Sequence, residues 1–536
     1  MIVSPDIYTT HVMPLLRLSD QCQIIPFESW TSDLDATVDI SKIAEASFSE
    51  VYRLTVKSAS EGCKGVSVLK LVALKTPPDA PLPSELTENE RPRRAADLSF
   101  QLQKESTERE DHDSWKSNVQ DVHSEVRLLQ NLDTIPGFTI FRALTILKGR
   151  PSKSFGKAWK AWNKSRPRGS KSEFPDPTKK ASYDDNQLWA VIEMEDAGTD
   201  CGKIMESGGI STIWEVWDIF WGVCSSVAKA EEACKFEHRD LHMDNICIRS
   251  STSNPCLTQR TIANPLKRKL GFSGLETTVI DYTLSRADII AESTSRRTSF
   301  FSTSGDDSFS ASPKTDSSSS AEVAYLDLNK DPALFQGDAE SEYQYEIYRY
   351  MRGVVLSQNP LAQTPSSSRP TTPDYTPETP RRSPRKHFDS SVPSTPQRSP
   401  RKSRPTESQS PPTDIWKRFH PKTNLIWAHF ILHKLLENLA YAGNEPPHMS
   451  NAHITQNVEG IETEEQAGKV WKKAVKMYKI LYRVSQKLEP TALAKEGSWG
   501  SMTEVIVNAL EMRWLGLSDV NGGVWEEFGE GERERE

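Results

Sequence analysis

Ten consecutive residues, Phe236-Glu-His-Arg-Asp-Leu-His-Met-Asp-Asn245, place the carboxylate of Asp240 five positions ahead of the carboxamide of Asn245. In one short loop such a pair can do two jobs. The carboxylate accepts the proton of an attacking hydroxyl, and the amide reaches back to hold a metal ion on nucleotide phosphates. A second carboxylate, Asp281, ends the apolar run of Thr278-Val-Ile-Asp-Tyr-Thr283. A strand there would deliver it as the acid that chelates Mg²⁺. Lys70 closes the apolar triplet Val68-Leu69-Lys70. A strand lysine beneath a nucleotide pairs with its phosphates if a carboxylate orients it. Glu125 is the natural partner, and Lys75 is the competing cation. Taken together, these types and spacings suit direct transfer of a phosphoryl group from ATP to a hydroxyl.

The loop is similar to the protein-kinase catalytic loop HRDLxxxN, and Val68-Leu69-Lys70 is similar to its VAIK strand. The segment Lys42-Ile-Ala-Glu-Ala-Ser-Phe-Ser-Glu-Val51 follows the pattern K-I-G-E-G-x-F-G-E-V, which covers the phosphates. Ala44, Ala46 and Ser49 stand where glycine is usual, so the backbone amides have less freedom to approach an anion. Ile43 and Val51 are expected to line the nucleotide pocket from this cover. Adenine is expected at the strand exit Glu193-Met-Glu-Asp-Ala-Gly198, with Met194 setting the depth of the pocket. Glu195 and Ala197 would offer main-chain groups to the base, and Asp200 a carboxylate to the ribose. Asp-Tyr-Thr at Asp281 replaces the usual Asp-Phe-Gly, and losing the glycine implies a stiffer segment.

These residues need elements to hold them. Ile43–Leu54 and Gly65–Leu74 read as strands around a polar turn, and Gln187–Met194 as a continuous apolar strand. Val122, Val126 and Leu129 share one helical face. Ile213, Val216, Trp217, Phe220, Val223, Cys224 and Val227 sustain a 3–4 spacing, so Ser211–Phe236 reads as a long buried helix capped by Ser211 or Thr212. Strands first and helices after imply an α+β, bilobal fold, with a small β-rich N-lobe and a larger helical C-lobe.

The 536 residues would hold two to four domains at ordinary size. Three stretches are too poor in apolar residues to offset their ordering entropy: about 76–114, 289–321 and 357–412. The third holds 13 of the 34 prolines. The expected division is therefore an N-terminal extension 1–35, an N-lobe 36–196, a C-lobe 197–526 and a charged tail 527–536. Net charge is −8, yet the window 381–405 carries eight Lys/Arg against one Asp. That segment is compatible with a solvated linker, with nucleic-acid contact or with phosphoregulation, and direct DNA contact stays open. Ser383, Thr395 and Ser399 each precede proline with a base nearby, as proline-directed kinases prefer. The apolar stretches are shorter than the ~20 residues of a membrane span. No secretory signal is expected. Seven scattered cysteines without metal-ligand spacing argue for a reducing compartment and against structural zinc.

Four blocks make the resemblance specific. Phe236–Asn245, then Asp281-Tyr-Thr-Leu-Ser-Arg286, then Phe335-Gln-Gly-Asp338 with Tyr345-Glu-Ile-Tyr-Arg-Tyr-Met351, then Asn424-Leu-Ile-Trp-Ala-His-Phe430 resemble the haspin family of atypical eukaryotic protein kinases. The family patterns are HRDLHxxN, DYTLSR, FxGDxxxQFDIYRxM and NVLWLHY. The likeness runs roughly from Lys42 to Leu436 without the insertions. It implies ATP and Mg²⁺ as cofactors, and a threonine near the N-terminus of histone H3, on the nucleosome, as substrate. It also implies a monomer in the nucleus, on chromosomes in mitosis, with a possible cytoplasmic pool. An activation-loop phosphorylation switch is not expected, and no Ala-Pro-Glu follows Asp281 at the usual distance. His242 replaces a common lysine and is expected to reach the substrate. Asp327, Asp331 and Asp338, with Glu340, would attract a basic tail. Two other readings compete. A small-molecule kinase of the aminoglycoside or choline type shares the DLHxxN loop but not the later blocks. A pseudokinase scaffold would explain the missing glycines but not the retained Lys70, Glu125, Asp240, Asn245 and Asp281.

Overall fold

The computed structural model describes residues 6–46, 48–57, 66–86, 95–251, 260–290, 322–362 and 415–521. Its first lobe is built on six strands: β1 (Ile24–Pro26), β2 (Val38–Ala46), β3 (Ser49–Val56), β4 (Val66–Ala73), β5 (Phe141–Lys148) and β6 (Leu188–Glu195). They lie in the order β1-β5-β6-β4-β3-β2, with only β1 running parallel to its neighbour. The expected strand Ile43–Leu54 is in fact a hairpin, β2 folding back on β3, with a register shift between Lys42 and Ala44. Helices α1 (Ile7–Leu16) and α2 (Phe27–Thr37) precede the hairpin. Residues 6–35 are thus part of the lobe and not an extension to it. Val12, Leu15 and Leu16 bury against it, and β1 pairs with β5.

The stretch 76–114 also departs from its composition. It contains the short α3 (Pro83–Leu86) and the 19-residue α4 (Ala95–Asp113). Polar contacts order it where apolar burial is scarce. Asp113 accepts from the Thr76 amide at 2.9 Å and pairs with Lys116 at 2.8 Å, and Arg109 donates to the Ala80 and Pro81 carbonyls. This fastens the chain just ahead of α5 (Val119–Leu132), which lies behind the sheet with Val122, Val126 and Leu129 buried. α6 (Lys153–Ser165) covers the outer face of the sheet.

The second lobe begins with β7 (Thr199–Asp200) and α7 (Cys201–Glu206), then α8 (Ile213–Cys234). α8 starts at a capping box, Thr212 with Glu215, and stops at Lys235 in the left-handed region. Trp214, Trp217 and Trp221 are fully buried on it. Deleting one such side chain typically costs roughly 3–5 kcal/mol. β8 (Ile246–Ser250) lies between β7 and β9 (Leu275–Val279), and β10 (Arg286–Ile289) pairs with β11 (Glu322–Tyr325). Then come α9 (Gln344–Ser357), α10 (Lys422–Tyr441), α11 (Asn451–Ile454), α12 (Glu464–Leu488), α13 (Pro490–Leu493), α14 (Met502–Glu511) and α15 (Leu517–Asn521). The basic window 381–405 with Ser383, Thr395 and Ser399, the tail 527–536, and most of the insertions 289–321 and 357–412 lie outside the described residues. No helix among the described residues is long and apolar enough to cross a membrane.

Asn424, at the start of α10, rivets this lobe. Its amide donates to Glu231 on α8 at 2.8 Å and to the Phe236 carbonyl at 2.9 Å, and it accepts from the His238 amide at 3.1 Å. Glu231 in turn accepts from the Met502 and Thr503 amides at the start of α14. Asn424, Glu231 and the main chain at Phe236 and His238 are buried, so a lost partner leaves polar atoms unpaired. Asn424→Ala should therefore cost about 3 kcal/mol of stability, read as an earlier denaturant midpoint at unchanged slope.

Candidate active site

The cleft between the lobes gathers most of the expected residues. Lys70 lies opposite Val51 on β3 and opposite Ile192 on β6. Alternation along a strand puts Lys70, Val51 and Val68 on one face of the sheet. Helical periodicity on α5 points Glu125 at the same spot. The Lys70 ammonium pairs closely with Glu125, and Asp281 Oδ1 and Thr283 Oγ1 lie 3.4 Å from it. Burial alone would lower the lysine pKa, but the Asp281 and Glu125 carboxylates outweigh it and raise it. The cation is therefore permanent. Lys75 lies past the end of β4, its amide donating to the Ser117 carbonyl, and Lys70 is the lysine that meets Glu125.

Asp281 sits just past β9 with φ +60°. A non-glycine residue holds that conformation only where its surroundings compel it. Here the Thr283 hydroxyl donates to Oδ1 at 2.5 Å, and the Thr283 amide approaches the same oxygen at 3.3 Å. Burial opposes its charge, yet Lys70 and Thr283 hold the carboxyl down to about 2. Tyr282 accounts for the stiffness expected of a segment without glycine. Its hydroxyl donates to the Val279 carbonyl at 2.7 Å and accepts from the Thr139 amide at 3.1 Å.

The catalytic loop is locked through its main chain. Asn245 donates to the Asp240 carbonyl at 2.8 Å. His238 accepts from the Asp240 amide through Nδ1 and faces the Ile280 carbonyl with Nε2 at 3.1 Å, so Nε2 carries the proton. Burial lowers the His238 pKa to about 4 and keeps the ring neutral. Arg239, at φ +66°, is fully buried and pairs with Glu237 at 3.1 Å. Glu237 also accepts from the His420 amide at 2.7 Å and the Thr423 hydroxyl at 2.9 Å. The arginine's charge is thus paired within the loop itself. Burial raises the Asp240 carboxyl to about 6, against the opposing pull of His242 and of a hydrogen bond from Tyr348.

Asn245 and Asp281, the pair expected to bind metal, fit a hard cation. Asp281 is a permanent anion, and Asn245 spends its amide N–H on the loop, which turns its carbonyl oxygen the other way. Mg²⁺ at nucleotides usually takes one or two protein oxygens, with phosphates and water completing its shell. Among the described residues no cluster of three or more acidic, His or Cys side chains offers a fuller cage.

Other expectations need adjusting. The Glu195 amide is taken by the Ile140 carbonyl at 2.9 Å, so of Glu195 only the carbonyl is left for a base. Asp200 caps α7 through the Lys203 amide and pairs with the Lys203 ammonium, both at 2.7–2.8 Å, so a ribose would have to compete for it. Ile43 falls at the bulge of β2 and is unpaired in the ladder. Met194 lies across from Val68 and Phe141. His242 is turned into the loop, capping Met243–Asn245 and lying 3.1 Å from the Asn245 amide. Asp327 caps the following turn through the Asn329 amide, and Asp338 accepts from the Glu340 amide. Asp331, Asp338 and Glu340 are exposed. A cavity of about 530 Å³ opens behind the hinge, beside Gly137, Ser226 and Lys229, but none of Lys70, Asp240, Asn245 or Asp281 lines it.

One feature has no counterpart among the sequence motifs. Lys42, fully buried beneath the phosphate cover, pairs with Glu50 and with Glu45 at 2.7 Å. The ring of Trp162 on α6 lies 4.8 Å from its ammonium, and Phe174 lies 5.6 Å away. This clamp fixes the β2–β3 hairpin from its outer face.

A model of the haspin-like kinase domain matches residues 8–372. The chain belongs to the haspin-like kinase family. It is 24% identical over 306 residues to the serine/threonine-protein kinase haspin homolog of Drosophila melanogaster, covering 57% of this chain and 36% of the relative. With the haspin homolog hrk1 of Schizosaccharomyces pombe it shares 22% identity over 458 residues, 82% of this chain and 64% of the relative. Bovine haspin is 26% identical over 216 residues, 40% of this chain and 22% of the relative. The chain thus spans less than two thirds of the length of each. The haspin fold explains why the four sequence blocks meet: the Asn424 helix anchors the catalytic loop, and α9 lies across Asp240.

Two outcomes follow from this geometry. Lys70→Met should lower kcat/KM for ATP by about 10²–10³-fold with the fold retained, read by steady-state kinetics beside circular dichroism. Transfer should also fade as pH falls through about 6, because Asp240, with its carboxyl raised to about 6, must be ionised to accept a proton. A kcat/KM profile flat from pH 5 to 8 would contradict that role.

Proposed function

We propose that the chain is an ATP- and Mg²⁺-dependent serine/threonine kinase that phosphorylates a threonine near the N-terminus of histone H3 in mitosis. The observation that carries the phosphotransfer is the buried Lys70–Glu125–Asp281 cluster, facing the same cleft as Asp240 and Asn245. Lys70, oriented by Glu125, would neutralise the nucleotide phosphates. Asn245 and Asp281 would hold Mg²⁺, which supplies positive charge to the phosphates when bound. Asp240 would take the proton of the threonine hydroxyl as it attacks in line. The substrate class has two supports: the names of the relatives, which are haspins, and the exposed acids Asp331, Asp338 and Glu340, which suit a basic tail. Work on chromatin would place the chain in the nucleus. The family assignment leaves a choline- or aminoglycoside-type activity without support, and the intact ion cluster argues against an inert scaffold.

The test is Mg-ATP phosphotransfer to H3 tail peptides by the full chain. Asp240→Asn should reduce the rate roughly 10²–10⁴-fold. Transfer surviving that change would remove Asp240 from its role. Transfer to other basic peptides, with none to H3, would overturn the substrate.

A further inference from the structure

Asp240 is held from α9 as well as from its own loop. Tyr348, 108 positions away in sequence, donates its hydroxyl proton to Asp240 Oδ1. The direction of that bond is set by Gln344, one turn earlier on α9, whose side-chain amide donates to the Tyr348 oxygen at 3.0 Å. A phenol has one proton, and with its oxygen already accepting, that proton goes to Asp240. The ring has little freedom. Tyr348 is only 5% exposed, and the indole of Trp427 on α10 meets it edge-on with centroids 5.3 Å apart. α9 is itself tied down by Arg349, which donates to the Phe335 carbonyl at 3.3 Å and to the Gly337 carbonyl.

The contacts on Asp240 divide by what they can fix. Asn245 grips its main-chain carbonyl and His238 its amide, so both set the backbone. Neither restrains rotation of the carboxylate. His242 Nε2 stands 3.9 Å from Oδ2, too far for a hydrogen bond. Tyr348 is the group that defines the carboxylate plane, and by occupying Oδ1 it leaves Oδ2 for a substrate hydroxyl.

We propose that Tyr348 is a positioning residue, which orients the Asp240 carboxylate so that Oδ2 receives the substrate proton. This rests on the reading of Asp240 as proton acceptor. It also assigns a purpose to the Tyr345–Met351 block beyond packing: the helix carries the second half of the catalytic carboxylate's support.

Tyr348→Phe in the full chain removes one oxygen and keeps the ring against Trp427. Rapid-quench single-turnover transfer to the H3 peptide should slow roughly tenfold. KM for ATP and the melting temperature should stay close to wild type, a split that a merely structural contact would not give. Gln344→Ala, which frees the phenol to turn, should slow the same step by a smaller factor. A Tyr348→Phe rate within about twofold of wild type, while Asp240→Asn is inactive, overturns the proposal. An independent readout needs no activity. With 3-fluorotyrosine placed at position 348, its ¹⁹F resonance should move on Asp240→Asn. A resonance that stays put overturns the positioning role even in a chain that transfers nothing, whereas an inactive wild type with a mobile resonance overturns only the assigned reaction.

Discussion

A lysine ammonium taken out of water must be met by carboxylates, and Lys70 is met by two. Desolvating three charges is expensive, and hydrophobic residues of the same volume would often be no worse for stability. The cluster is therefore better understood as a geometric constraint than as a source of stability. It requires β4, α5 and the turn after β9 to converge on one point. Each comes from a different part of the chain, and each has its own anchorage. The sheet register presents Lys70 to the cleft, the apolar face of α5 turns Glu125 inward, and Tyr282 and Thr283 hold Asp281. Without the lysine the two carboxylates would face each other with no cation between them, so the three elements depend on the one charge they share.

A second layer of buried polar groups does for the catalytic loop what the ion cluster does for the lobes. Asn424 and Glu231 join α8, α10 and α14 to the residues just ahead of Asp240. Glu237 gathers Arg239, His420 and Thr423. Arg239 and Asp281 both hold positive φ, conformations that cost roughly 1–3 kcal/mol each and persist only under such restraint. The strain sits where the chemistry is expected, with the Trp416 ring over Arg239 and the rings of Phe138, Phe236 and Tyr282 packed together beside Asp281.

The catalytic loop, Asp281, Lys70 and Glu125 were legible because phosphoryl transfer demands particular residues at particular spacings. The buried α8 was legible from its unbroken periodicity. What escaped were groups whose partners lie far away in the chain. Tyr348 looks like one aromatic among three in its block, and only the packing of α9 brings it to Asp240. Lys42 reads as part of a degenerate phosphate cover, and nothing local discloses the aromatic walls that α6 raises around it. The stretch 76–114 reads as unfolded because the order of its described parts, 76–86 and 95–114, comes from specific polar contacts of Asp113 and Arg109, which composition does not register. Asp200 and His242 also serve as local caps, of α7 and of Met243–Asn245, which their spacing does not announce.

The pairing of Arg239 with Glu237 carries a further consequence. An arginine at this point of a catalytic loop is a natural receptor for an added phosphate, and such a receptor makes readiness conditional on another enzyme. Here the receptor is already filled by a residue two positions away, fully buried and made during folding. A phosphate arriving later would meet a guanidinium that is buried and already paired, and it would have to displace Glu237 before it could touch the turn that Arg239 fixes.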